Sequence, residues 1–375
     1  MFLLRWLRRL IKTIIWLIVL VLLIPVAGLA YGFLTTSSLD KTPLPGIADS
    51  APPAALSSKV RQATQDYQMP PQSTWLAYPK WAAVYAARDY AAFVDKDQPS
   101  GFPYWGSIGH YWQDYATVIR VTSARGIDIL DYVVPTVIGT GLTIDGAVQW
   151  AYENTVGRVT EAIAGKRIAV DIYQAKAAGE YASLLGTRPW SDFPYAEKRA
   201  GLFAVQPAVG DDSIRTSERK LAFGLADTVK QWCADLSKSL FPAAGDPSPS
   251  DIHIWAKGPV GETTRNEPDT LLERDLGADG TVFITRQATL TEMIPRLIDK
   301  GVSFVEIGGN DEVLVTVTSS AAIAAPEGSR ALFSHPIPVT PDARRTAFAV
   351  AVRKLHTVLP ALVKAGAKLE RIYTD

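Results

Sequence analysis

"YVVPTVIGTGLTIDGAVQWAYENTVG", Tyr132 to Gly157, is the stretch on which the fold turns. An apolar segment meets Gly139-Thr140-Gly141 and continues into residues of helical character. Three readings compete: a glycine loop for a dinucleotide, a second membrane span, or a helix packed closely against others. The phosphate loop needs a third small residue where Ile144 stands, and Asp171 lies too far along to hold a ribose. Pro135 would also interrupt a strand that should be fully hydrogen-bonded. A membrane span would bury Asp145 at a cost of about 2.5–3.5 kcal/mol, which threonine and glycine do little to offset. Read as a packed helix, Gly139, Thr143, Ala147 and Ala151 form a small-residue stripe at every fourth position. Such a stripe lets a neighbouring backbone come close. Val134, Val137, Ile138, Leu142 and Val148 add apolar bulk. The stretch therefore predicts a buried, closely packed helix in which Asp145 finds a partner or turns to water.

The N-terminus carries the strongest signal. Arg5, Arg8, Arg9 and Lys12 precede an uncharged run from Thr13 to Ser38. A helix needs roughly 20 apolar residues to cross a bilayer core of about 30 Å, and residues 14–34 supply that length. The basic flank belongs on the cytoplasmic side, which sends the rest of the chain across. A cleaved signal peptide is the alternative, with Pro25 and Gly28-Leu29-Ala30 near its cleavage site. Tyr31 to Leu34 prolong the apolar run and favour an anchor. The chain reads as a single-pass protein of the bacterial inner membrane, N-terminus cytoplasmic and main domains periplasmic.

The remaining bulk features narrow the function. Lysine plus arginine is 38 and aspartate plus glutamate is 38, so no basic surplus marks a nucleic-acid surface. Cys233 is the single cysteine, which excludes an intramolecular disulfide and a cysteine zinc cluster.

Composition divides the chain into an anchor (1–34), a flexible Pro/Ser/Ala-rich linker (35–74), a helical domain (75–241), a short linker (242–250) and an α+β domain (251–375). Helical periodicity covers Tyr78–Val94, Ser107–Ser123, Arg167–Leu185 and Ser217–Leu240. In the last, Leu221, Leu225, Val229, Trp232 and Leu236 make one stripe. Beyond residue 250 the period changes. "DIHIWA", "TVFIT", "VSFVEI", "EVLVTV" and "ALFSH" read as strands, and "VSFVEIGGNDEVLVTV" as a hairpin. One helix carries Leu290, Met293, Ile294, Leu297 and Ile298, and stops at Gly301. A second starts at a Thr340 cap with Pro341 behind it, and ends near Gly366. "KLERIYT" is a final strand. From Thr281 this order predicts a small ferredoxin-like sandwich, a fold that implies no function. No sequence repeat is evident.

Three stretches, "WAYENTVGRVTE", "TRPWSDFPYAEKRAGLF" and "FVEIGGNDEVLVTV", resemble those of a group of uncharacterised bacterial proteins with an N-terminal hydrophobic segment. That resemblance implies no activity and transfers no functional residue.

Candidate chemistry is sparse. "YWGSIGHYW" lacks the first glycine of a nucleophile elbow, since Trp105 stands two residues before Ser107. His110 and Asp114 are four apart, but no third ligand accompanies them, so neither a metal nor another cofactor is expected. Aromatic residues crowd the segment from Trp75 to Tyr115. Trp81, Tyr85, Trp105, Tyr111, Trp112 and Tyr115 make a candidate binding surface; a core of large residues is the plainer reading. Arg88, Asp89, His110 and Asp114 are the candidate polar site for the alternative, an enzyme acting on a membrane-derived apolar substrate. The leading expectation is a non-catalytic envelope module that binds membrane lipid or a protein partner.

Overall fold

The computed structural model describes residues 2–37, 44, 52, 54–64, 72–123, 127–240, 251–265, 267 and 269–373. The protein is α+β, mostly helical, with two small antiparallel sheets. In chain order the helices before the sheets are α1 (Phe2–Thr35), α2 (Ala54–Ala63), α3 (Gln72–Trp75), α4 (Ala77–Val94), α5 (Tyr104–Thr122) and α6 (Val133–Tyr152). A π-helical turn (Glu153–Gly157) leads into α7 (Arg158–Ala164), and α8 (Ala169–Leu185), α9 (Tyr195–Ala204) and α10 (Ser213–Leu240) follow. Then come β1 (Asp251–Lys257), α11 (Val260–Thr264), β2 (Leu271–Asp275), β3 (Thr281–Arg286), α12 (Gln287–Asp299) and β4 (Ser303–Ile307). The chain closes with β5 (Glu312–Ser319), β6 (Ser329–Ile337), β7 (Thr340–Ala351), α13 (Leu355–Lys364) and β8 (Lys368–Tyr373).

The chain forms two compact units. A helical unit takes residues 1–35, 79–113 and 134–247. A sheet unit takes residues 36–78, 114–133 and 248–375. Within residues 35–74, Val60 of α2 is buried with Trp255, Val282 and Val305, and Thr74 of α3 is buried as well. Leu56 and Val60, one helical turn apart, give α2 the apolar edge that docks it. The expected 242–250 linker lies outside the described residues. No helix among the described residues is long and apolar enough to cross a membrane, so the transmembrane helix finds no support there.

The sheet unit holds two sheets with one topology. Sheet order is β2-β3-β1-β4 in the first and β6-β7-β5-β8 in the second, and every pair is antiparallel. Apart from the short α11 in the first, each half is three strands, a helix and a fourth strand. The helices tie the halves together: α12 packs against β8 as well as β3, and α13 against β4. One apolar core results, from Ile254, Phe283 and Leu297 in the first half to Val315, Phe348 and Leu362 in the second.

Two local expectations fail here for physical reasons. The hairpin through Gly308 and Gly309 is limited to its turn, closed by one antiparallel bridge between Ile307 and Asn310, because β4 pairs with β1 while β5 pairs with β7 and β8. Both glycines take left-handed conformations, φ 58° and 73°, and carry the chain from one sheet to the other. The helix expected from Thr340 is strand β7, and α13 begins only at Leu355. β7 is interior to its sheet, and residues 346–350 are all buried. A strand buried on both faces shows no alternation, so periodicity does not separate it from a helix.

In the helical unit, α4, α5, α8 and α10 fall within a few residues of the periodic segments. Tyr132–Gly157 contains no phosphate loop: Gly139-Thr140-Gly141 lies inside α6, and Pro135 sits in its first turn. The α10 stripe faces outward. Leu221, Leu225, Val229, Trp232 and Leu236 are exposed, while Arg215, Arg219 and Ala234 are buried.

Candidate functional site

The interior of the helical unit is held by charge. At the end of α6 the π-helical turn brings Glu153 inside, at 1% exposure. Gly157 makes room for it, since an added Cβ would come within 2.7 Å of Glu153 Oε2. Arg219 of α10 donates from Nη1 to Glu153 Oε1 at 2.7 Å and from Nη2 to Oε2 at 2.9 Å. One turn earlier, Arg215 donates to both oxygens of Asp171, from Nε at 3.0 Å and from Nη2 at 3.1 Å. Its Nη1 also donates to the Gly157 carbonyl at 3.0 Å. Arg219 Nε lies 3.2 Å from Asp171 Oδ1, which joins the two pairs.

All four side chains are buried, and their formal charges cancel. Burial pushes the Glu153 carboxyl above its usual range, and the bidentate guanidinium of Arg219 opposes that push. Such a network adds little net stability over an apolar core, but it tolerates only the correct partners. It fixes α6, α8 and α10 against one another.

The outward side of the same helices is apolar. On α10, Leu221 is 72% exposed and Trp232 is 65% exposed, with Leu225, Val229 and Leu236 between and beyond them. On α6, Val134, Val137, Gly141, Ile144 and Val148 recur at alternating three- and four-residue spacing, and all are exposed. Each stripe is about 20 Å long at 1.5 Å per residue. Asp145 stands beside the α6 stripe, pairing with Lys230 of α10 at 2.9 Å and accepting from Gln149 at 3.0 Å. It both finds a partner and meets water, at 48% side-chain exposure. Monomeric proteins rarely expose long contiguous apolar surfaces without a use for them.

The candidate binding surface of the sequence is mostly core. Trp81, Tyr85, Tyr111, Trp112 and Tyr115 are buried; of the six, only Trp105 is exposed, edge-on to Trp150. The helix-packing residues divide. An added Cβ at Gly139 would overlap the Tyr111 ring, and Thr143 accepts from Trp112 Nε1 at 2.9 Å. Ala147 is half-buried and Ala151 exposed, so the close approach ends before the stripe does. On the candidate polar site, Arg88 is exposed with its guanidinium 5.9 Å from the Trp81 ring, and Asp89 and His110 are half-buried.

Asp114 of that group is built into a buried cluster. In the sheet unit it accepts from Tyr78 OH at 2.8 Å, and its other oxygen lies 2.5 Å from His335 Nε2 of β6. Phe333 stacks on His335, and Tyr78 tilts against Phe333. Burial, reinforced by the Asp114 carboxylate, pushes the Tyr78 phenol well above its usual range, which keeps it a donor. The cluster fastens the edge strand β6. Nothing local in the sequence joins Asp114 to His335, 221 residues away. For the charged network the sequence offered one faint sign: Arg215 and Arg219 are a turn apart on the side of α10 away from its apolar stripe.

No family model, curated protein or solved structure matches this chain. Its function must be read from the geometry. Among the described residues no group of three or more metal-binding side chains forms.

Proposed function

We propose that the protein is a membrane-attached, non-catalytic docking module of the bacterial envelope. Residues 14–34 hold it to the inner membrane, the N-terminus stays cytoplasmic, and the two units lie on the periplasmic side. Support for the anchor is the uncharged run behind four basic residues. The observation that carries the docking role is the pair of outward apolar stripes on α6 and α10, on helices fixed from within by buried charge. A rigid helix with apolar residues at three- and four-residue spacing suits lipid or an apolar helix of a partner protein.

The test places a photo-crosslinking amino acid at Val137 or Leu225 of the intact protein in its membrane. Lipid adducts or one recurrent protein adduct are expected at both positions, and Lys176 on α8 serves as the control. Adducts no more frequent than at Lys176 would remove the docking role. Reporter fusions after Ser123 and after Gly165 should report the same periplasmic compartment; opposite compartments would overturn the single-pass topology.

A further inference from the structure

The sheet unit contains a cavity of about 430 Å³ that neither stripe explains. One wall is α2, with Ser57, Ser58 and Arg61. The other is formed where the chain passes between the sheets: Glu306 at the end of β4, Asp311 just before β5, and Arg353 in the 3-10 turn before α13. The Val352 amide donates to the Asp311 carbonyl at 2.8 Å and fixes that wall. Arg353 Nη2 lies 2.5 Å from Asp311 Oδ1, and Arg61 Nη2 lies 3.4 Å from Glu306 Oε1. Glu306 and Arg353 are themselves buried, at 2% and 9% exposure.

The chemistry of the lining selects the ligand. Two guanidiniums face two carboxylates, and the other lining residues are uncharged. A phosphate would meet both carboxylates, and a bare cation would meet both guanidiniums. A molecule carrying both charges satisfies each side. Arg61 and Asp311, 41% and 46% exposed, are the two groups that open to a ligand, since a guanidinium offers five N–H donors and a carboxylate about four acceptor positions. The serine hydroxyls add donors beside Arg61. No aromatic residue lines the cavity, and its volume lies toward the low end of small-molecule sites.

We propose that this cavity binds a small zwitterion of dipeptide size, with a free ammonium and a free carboxylate. Its carboxylate faces Arg61 and Arg353, and its ammonium faces Glu306 and Asp311.

The experiment is calorimetric titration of the full-length protein in detergent with four probes: diglycine, N-acetyldiglycine, diglycine amide and inorganic phosphate. Diglycine should bind saturably at one site, and blocking either end should weaken it by about tenfold or more, the loss of one charge-assisted hydrogen bond. Arg61→Gln and Asp311→Asn act on side chains that are 41% and 46% exposed. Each takes the partner from a buried group, Glu306 or Arg353, and should lower the melting temperature, while the folded protein should bind diglycine more weakly by a similar factor. No saturable heat with diglycine at millimolar concentration would overturn the proposal. Equal binding of the capped peptides, or phosphate binding as tightly as diglycine, would do so too, and neither depends on a variant that folds.

Discussion

The two units keep opposite things inside. In the sheet unit, Phe283, Leu297, Phe348 and Leu355 share one apolar core. In the helical unit, Arg215, Arg219, Glu153 and Asp171 occupy the interior between α6, α8 and α10, while leucine, valine and tryptophan of α6 and α10 face outward. An apolar core is non-directional and forgives exchange of one hydrophobe for another. A buried ion network is directional and forgives almost nothing, because removing one partner strands the other. The sheet unit therefore stabilises itself by burial. The helical unit gives part of that driving force up and leaves apolar surface exposed.

Substitutions can break this contrast, beginning with the largest effect. Arg219→Met leaves Glu153 buried without its bidentate partner and should cost about 3–5 kcal/mol in denaturant unfolding. The double change Glu153→Met with Arg219→Met should recover most of that. If the single change costs under about 1 kcal/mol, the charges do not hold the unit. In the sheet unit, Leu297→Ala should cost about 2–5 kcal/mol, with no second substitution to rescue it.

A finer comparison uses two glycines two residues apart on α6. Gly139→Ala drives a methyl into the Tyr111 ring and should destabilise by about 1–3 kcal/mol. Gly141 has nothing within 4 Å of an added Cβ, so Gly141→Ala should stabilise the isolated protein by about 0.5–1 kcal/mol. The same methyl should reduce crosslinking from Val137 if a partner packs closely there. Thermal melts and adduct yields separate the two effects.

The smallest effect is a pH dependence. Burial pushes the Asp227 carboxyl of α10 up to about 6, against the pull of Lys230 and Arg199. Its folded pKa is raised, so its contribution is most favourable below about pH 4 and is lost as pH rises through about 6. Asp227→Asn should therefore leave stability unchanged near pH 4 and raise it at pH 8. The gain should be about 1 kcal/mol after discounting for its partial exposure to solvent. A gain of equal size at both pH values would contradict this assignment.

Element positions were largely legible. The periods of α4, α5, α8, α10 and α12, and the short β-branched runs of β1, β3, β4 and β5, locate those elements. β2 escaped because Leu271–Asp275 is an exposed edge strand with no alternating face. β7 was read as a helix because double-sided burial removes the period-two signal. Of the candidate site residues, Asp114 was legible as a polar group on α5 but not as a partner of His335, a pairing made only by folding.

By itself the sequence determined the α+β class, the uncharged N-terminal run, and a helix rather than a phosphate loop at Tyr132–Gly157. Spacing and chain stereochemistry are local, and those conclusions need nothing more. Only the tertiary structure decided which side of each helix is inside, that β4 and β5 belong to different sheets, and that two halves repeat one topology without a visible sequence repeat. A period specifies that a face exists and not which way it points. On α10 that direction is settled by Glu153 and Asp171, whose carboxylates draw Arg219 and Arg215 inward and leave Leu221 to Leu236 facing out.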